Sequence, residues 1–187
     1  MSLIDIGIFG TRNLINMCHK HNIRMLFTST SEVYGKNPNI PWQEDNDRIL
    51  GPTNIDRWSY STSKALCEHM LFGVYHKHKW PMSIVRFFNV YGPGQDLSRT
   101  DQGIVSIFLD LIRNKNNIDV NGSLKRFRDL IYIDDVIKAL ILTLKDKKNF
   151  NQIYNVGTGK KTTVKKLIQS ISKLYGKEKL LKVKVTN

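Results

Sequence analysis

Apolar residues recur along this chain in two alternating rhythms. Ile4, Ile8, Ile15 and Cys18, with Leu14 beside them, fall near one helical face, so the spacing predicts an amphipathic helix over roughly 3–21. Arg24–Ser29 (RMLFTS) is a short apolar run suited to a buried strand. About 25 residues of loop follow, carrying Pro38, Pro41, Gly51 and Pro52; so long a structureless stretch inside a compact domain is more often functional than idle. Trp58–His78 reads as a long helix that stops before Pro81. Ser83–Phe88 (SIVRFF) reads as the next strand, ahead of a loop containing Gly92, Pro93 and Gly94.

Further on, residues 102–113 read as a helix and Ile118–Val120 as a short strand. Asp134 is expected to cap a helix running through Leu144, because its carboxylate can accept an orphan backbone N–H. Gln152–Val156 reads as a strand, Gly157–Gly159 as a turn, and Thr163–Tyr175 as a helix with Thr162 near its cap. Lys182–Asn187 alternates like another strand. Helices alternating with apolar strands at βα spacing predict a parallel sheet covered by helices. Such a sheet normally opens with a strand, whereas this chain begins in a helix pattern, so both ends are expected to be cuts through a larger domain.

Composition narrows the class. With 187 residues, 41% of them hydrophobic, the chain can build one core. No apolar run approaches the ~18–20 residues of a membrane-crossing helix. Met1–Phe9 has no basic leader, and Asp5 interrupts its apolar stretch. Two cysteines, Cys18 and Cys67, make no disulfide framework, and no Cys/His cluster has zinc spacing. A cytoplasmic, metal-free α/β protein is the expectation.

The net charge of +13 is uneven. Residues 1–144 hold 17 basic and 14 acidic side chains, whereas residues 145–187 hold 12 lysines, no arginine and two acids, Asp146 and Glu178. Concentrated positive charge can attract nucleic acid. Here the lysines are spread through strand, turn and helix patterns without interleaved aromatics, which fits a solvated face better than a nucleic-acid site.

The sharpest chemical signal is Tyr60-Ser61-Thr62-Ser63-Lys64. Four residues apart on a helix, the phenol and the amine share a face. A nearby ammonium favours the phenolate and lowers the tyrosine pKa, poising Tyr60 for proton transfer. Thr28-Ser29-Thr30-Ser31-Glu32-Val33-Tyr34-Gly35 follows an apolar strand, so its hydroxyls and Glu32 belong at the strand's C-terminal end, where open parallel sheets bind ligands. The same residues also read as plain turn chemistry with a solvated carboxylate.

Taken together, the ordered motifs resemble the extended short-chain dehydrogenase/reductases, the NAD-dependent nucleotide-sugar epimerases, dehydratases and decarboxylases. Thr30–Gly35 looks like the family's strand-end motif, and Tyr60 with Lys64 like its catalytic pair. Arg86–Pro93, Arg128–Val136 and Tyr154–Gly157 resemble three later motifs. The resemblance implies a partial Rossmann-type α/β fold, a doubly wound parallel sheet with the start of a small C-terminal substrate-binding region. It treats 1–187 as a single partial domain, with 1–115 as the C-terminal half of the Rossmann core and 116–187 as mixed core and substrate-binding segments.

It also implies roles. Tyr60 would take the proton of the sugar 4-hydroxyl, with Thr30 sharing that hydrogen bond. Lys64 would hold the nicotinamide ribose, and Ser29 and Phe87 would sit near the cofactor, NAD. Ser31 and Glu32 would serve the step after C4 oxidation. Asn89 would contact the nucleotide sugar, and Arg128, with Arg126 as helper, the diphosphate. Ser31-Glu32, in place of Asp-Glu, is similar to the UDP-glucuronate decarboxylases and GDP-mannose 4,6-dehydratases. The stretch Gly51–Asn54 and Arg57–Tyr60 looks most like the UDP-glucuronate decarboxylase branch, with UDP-sugar 4-epimerases still open. The partners implied are a nucleotide sugar, UDP-linked by preference, and a second copy in the intact family; neither membrane nor nucleic acid is expected.

The chain departs from this pattern at one point. Family members carry a Gly-x-x-Gly-x-x-Gly turn that seats the NAD pyrophosphate on a helix N-terminus, and nothing before Met25 contains it. Gly157-Thr158-Gly159-Lys160 does not complete a phosphate loop either, because Tyr154 stands where its first glycine belongs. A central fragment, inactive alone and with an open sheet edge that promotes self-association, is therefore expected. The alternative is a non-enzymatic remnant or interaction module that complements a separate N-terminal half.

Overall fold

A computed structural model describes residues 3–97 and 103–186. Ile4–Gly10 form a π-helical segment that runs directly into α1 (Thr11–Lys20). There follow β1 (Met25–Thr30), a 3₁₀ turn (Ser31–Tyr34), α2 (Arg57–His78), β2 (Met82–Phe87) and β3 (Asn89–Tyr91). Next come α3 (Ile104–Asn114), β4 (Asn117–Asn121), β5 (Phe127–Arg128), β6 (Leu130–Tyr132) and α4 (Ile133–Lys145). The last elements are β7 (Ile153–Val156), β8 (Thr162–Thr163), α5 (Val164–Leu174) and β9 (Lys182–Thr186). Residue 102, where the α3 pattern was expected to begin, lies outside the described residues.

The chain forms two compact units that interleave along the sequence. One holds the chain up to Phe88 together with Ile137–Val156; the other holds Asn89–Val136 and the chain from Gly157 on.

In the first unit, β1, β2 and β7 form a parallel sheet with β2 in the middle. Met82–Arg86 are all buried, as a strand covered on both faces requires, which is why this stretch reads as an almost continuous apolar run. Ile15 of α1, Cys67 and Leu71 of α2, and Trp80 pack with Phe27, Met82 and Ile84. Each such large side chain contributes about 1.5–3 kcal/mol by leaving water. The register sets Thr30 opposite Phe87, so β1 and β2 end together and their C-terminal tips share one edge of the sheet.

In the second unit, α3, β4 and α5 share a core of Phe108, Ile112, Ile118, Val120, Leu167, Ile168 and Ile171. β4 pairs with β9 and β3 with β6, both parallel, and β5 pairs antiparallel with β8.

Two expected caps are corrected. Asp134 lies inside the first turn of α4, which starts at Ile133 directly after β6. There its charge complements the helix dipole instead of capping an N–H. The cap of α5 is Thr163, whose Oγ1 accepts from the Lys166 N–H at 3.1 Å. Thr162 lies one residue earlier, opposite Arg128 in the β5–β8 ladder. Among the described residues no helix is long and apolar enough to cross a membrane.

Candidate active site

β1 delivers Thr30 to the sheet's C-terminal edge in an extended conformation, and the chain then turns through Ser31–Tyr34. Thr30 Oγ1 accepts from the Glu32 N–H at 3.2 Å, fixing the turn. Gly35 closes it with a φ of 64°, at a point where a Cβ would overlap the Ile49 carbonyl. The long loop returns to α2, and Ser61 Oγ donates to the Glu32 carbonyl at 2.7 Å, joining the start of that helix to the strand tip.

This local architecture brings Tyr60, Thr30 and Glu32 together. The Tyr60 phenol lies near enough to the Thr30 side chain and to the Glu32 carboxylate for both to act on its titration. Tyr60 remains 42% exposed, so a ligand can reach it. Arg57 faces Glu32 at 3.5 Å, but both side chains are well exposed and such a pair contributes little. Ser31 is buried beside them.

Lys64 behaves differently from expectation. Its Nζ donates to the Thr28 carbonyl at 2.9 Å and lies 4.9 Å over the Phe27 ring. The expected acidification of Tyr60 by Lys64 is not what this geometry gives. Burial is the largest influence on the phenol and raises its pKa; the Thr30 side chain lowers it and the Glu32 charge raises it, for a net upward shift. Burial likewise lowers the Lys64 pKa, opposed by Cys67 and Glu68. In this chain Tyr60 is therefore expected to titrate above the ordinary tyrosine range. Replacing Glu32 by glutamine removes a negative charge and should move that titration down, whereas Lys64→Met should leave it in place. Tyrosine-ring NMR titration of the two variants checks both.

Ser29, expected near the cofactor, is turned inward: its Oγ donates to Glu68 Oε1 at 2.5 Å. Glu68 is in turn the buried partner of Arg86, with contacts of 2.6 and 3.0 Å. Arg86 also donates to the Tyr34 hydroxyl at 2.7 Å and the Glu44 carbonyl at 2.8 Å. Tyr34 donates to Asn155 Oδ1 at 2.8 Å, and Asn155 donates from its backbone N–H to Glu44 Oε1 and from its side chain to the Trp42 carbonyl. One network thus ties α2, all three strands and the long loop together. Sequence reasoning missed Glu68 and Asn155 as members. The available signal was Arg86 inside a buried strand, which demands a carboxylate, and Glu68, which follows Lys64 by one helical turn.

Phe87 ends β2, half-buried. The residues expected to hold substrate belong to the other unit. Asn89 donates from its N–H and its Nδ2 to the Asp129 carbonyl at 3.0 and 3.2 Å. Arg128 donates from Nη1 to the Phe127 carbonyl, and Arg126 to the Asn121 and Ser123 carbonyls of its own turn. Asp129, also missed, accepts from Thr158 N and Oγ1 and from Gly159 N, at 2.6–3.0 Å. Asp129, the link between β5 and β6, thus pins the turn at Thr158 and Gly159.

A parallel α/β sheet with a phenol, a hydroxyl and a carboxylate gathered at its C-terminal edge puts these groups where open α/β sheets bind ligands. The chain belongs to the NAD dependent epimerase/dehydratase family, which it matches over residues 2–157. It is 34% identical to the UDP-N-acetyl-alpha-D-glucosaminuronate decarboxylase of Bacillus cytotoxicus, over 93% of this chain and 53% of that enzyme. Among solved structures, it superposes with a TM-score of 0.86 and 30% identity on the UDP-N-acetylglucosamine 4-epimerase of Methanobrevibacter ruminantium in complex with UDP-N-acetylmuramic acid. That match covers 97% of this chain and 56% of the epimerase. The UDP-glucuronic acid 4-epimerase of Bacillus cereus, in complex with UDP-glucuronic acid and NAD, superposes at 0.83 with 25% identity, over 97% and 54% of the two chains. The chain thus spans about half the length of the relatives it matches, and NAD is the family's cofactor.

Proposed function

We propose that these 187 residues carry the catalytic centre of a nucleotide-sugar enzyme that begins by oxidising C4 of a UDP-sugar. The observation that carries this reading is the meeting of Tyr60 with Thr30 and Glu32 at the end of β1. Tyr60, ionised, takes the proton of the sugar 4-hydroxyl, while Thr30 Oγ1 holds the same oxygen in place. When bound, NAD would supply the hydride acceptor for C4, beside Tyr60. Glu32, with Ser31 behind it, is placed to move a second proton once the 4-ketone has made C5–H acidic or a C5 carboxylate labile.

The fit to NAD is partial. Tyr60 suits the nicotinamide ribose and Phe87 ends the neighbouring strand, while Lys64, on the same face of α2 as Tyr60, would have to leave the Thr28 carbonyl to reach it. Ser29 does not suit the role, because its hydroxyl is taken by Glu68. The 187 residues include no Gly-x-x-Gly-x-x-Gly turn for the pyrophosphate. Arg128, with Arg126 near it in sequence, is the candidate for the substrate diphosphate. Ser31-Glu32 in place of Asp-Glu counts against the dTDP-glucose 4,6-dehydratase pattern, and a decarboxylase and a 4-epimerase of UDP-sugars stand among the relatives.

The reading makes the chain alone a weak cofactor binder and a negligible catalyst. Calorimetric titration with NAD should give no saturable heat in the micromolar range. A micromolar Kd for the isolated chain would contradict this.

A further inference from the structure

In the second unit one carboxylate gathers every donor of a turn. Asp129 is the single residue between β5 and β6. Its Oδ1 accepts from the Thr158 N–H at 2.9 Å and from Thr158 Oγ1 at 2.6 Å. Its Oδ2 accepts from the Gly159 N–H at 2.7 Å and shares the Thr158 N–H at 3.0 Å. Successive N–H groups in a turn form a concavity that holds anions, and Gly159 completes this one with a φ of 72°. Here the chain fills the concavity with a carboxylate of its own. Hydrogen bonds to an ionised acceptor are the stronger kind. Thr158 Oγ1 also accepts from the Lys160 N–H at 3.2 Å, which carries the order of the turn on toward β8.

Both candidate substrate contacts are tied to this anchor. Asn89 donates from its N–H and from Nδ2 to the Asp129 carbonyl at 3.0 and 3.2 Å. Arg128 directly precedes Asp129 and pairs with Thr162 in the β5–β8 ladder. Its backbone is therefore held from two sides, by the ladder and by the carboxylate that grips the turn leading into Thr162. We propose that Asp129 is a positioning residue for the substrate, setting the Asn89 amide and the Arg128 guanidinium at one fixed spacing for the sugar and the diphosphate of a nucleotide sugar. This rests on the reading of Asn89 and Arg128 as contacts to that ligand. Both oxygens of Asp129 are engaged by the turn, so it acts through its neighbours. The benefit is in binding, because contacts fixed before the ligand arrives lose less freedom on association. An emptied turn keeps its anion-holding N–H groups, so a small free carboxylate can take the vacated place.

The test titrates the full chain with UDP-glucuronic acid and follows the Asn89 and Arg128 amides by NMR. The unaltered chain should show saturable shifts at both, and Arg128→Ala should weaken them. Asp129→Ala should weaken binding by roughly tenfold through lost preorganisation. Added formate should restore most of that loss, whereas sodium chloride at the same ionic strength should not. On top of Arg128→Ala, Asp129→Ala should cost clearly less than it does alone, because two residues acting through one contact are not additive. Thr158→Val removes one donor from the turn and should weaken binding about threefold. If Asp129→Ala does not fold, Thr158→Val decides, and unchanged binding in it overturns the inference. Equal binding by the unaltered chain and a folded Asp129→Ala overturns it too. So does a loss that formate leaves in place or that adds fully to Arg128→Ala, since Asp129 would then be structural only. Each of these outcomes leaves the proposed activity standing. No saturable shifts in the unaltered chain, or shifts indifferent to Arg128→Ala, would instead overturn the reading of Arg128 as the diphosphate contact, and this inference with it.

Discussion

Replacing Glu68 by alanine is expected to cost the fold about 3–5 kcal/mol, because it strands a buried guanidinium. Both side chains of the Glu68–Arg86 pair are only 7% exposed, so water cannot take over the lost bonds. Ser29 loses its acceptor in the same stroke, and Arg86 keeps only the Tyr34 hydroxyl and the Glu44 carbonyl. Domains of this size hold about 5–15 kcal/mol in all, so the single variant sits near the limit of folding. Replacing Glu68 and Arg86 together by methionine should recover most of the loss, since two apolar side chains leave no orphan charge. Urea unfolding at constant slope measures both. A Glu68→Ala midpoint equal to that of the unaltered chain would show that the pair does not hold the loop and sheet together.

The second large effect is on chemistry. Tyr60→Phe deletes one oxygen from the centre and should lower turnover of a UDP-sugar by about 10²–10⁴ in the complemented enzyme, the span typical of a lost general base. The fold should barely respond, because the hydroxyl is partly exposed and Thr30 Oγ1 keeps its bond from the Glu32 N–H. Thr30→Val should follow the same direction with a smaller loss.

Much of this was legible in the sequence, for identifiable reasons. β2 announces itself as an apolar run because it is buried on both faces, and α2 because 22 helical residues lie between a proline-bearing loop and Pro81. The meeting of Tyr60 with Thr30 and Glu32 was legible because strand tip and helix start carry their chemistry in adjacent motifs. The order of the long loop was not, because it depends on contacts such as Tyr34–Asn155, 121 residues apart. The short strands β5 and β8 were invisible, since two residues leave no periodicity to read. Lys64 shows the limit most clearly: helical spacing fixes which face its stem leaves from, but an edge carbonyl on β1 decides where the ammonium goes.

Single-turnover reduction of NAD by a UDP-sugar, followed by the absorbance of the reduced nicotinamide in a mixture of the chain with a separately produced N-terminal half, carrying the Gly-x-x-Gly-x-x-Gly turn, of the Methanobrevibacter ruminantium epimerase, tests the central claim. The account predicts a signal from the unaltered chain that falls at least a hundredfold in Tyr60→Phe, about the lower bound for a general base. Equal signals from the two proteins would contradict it.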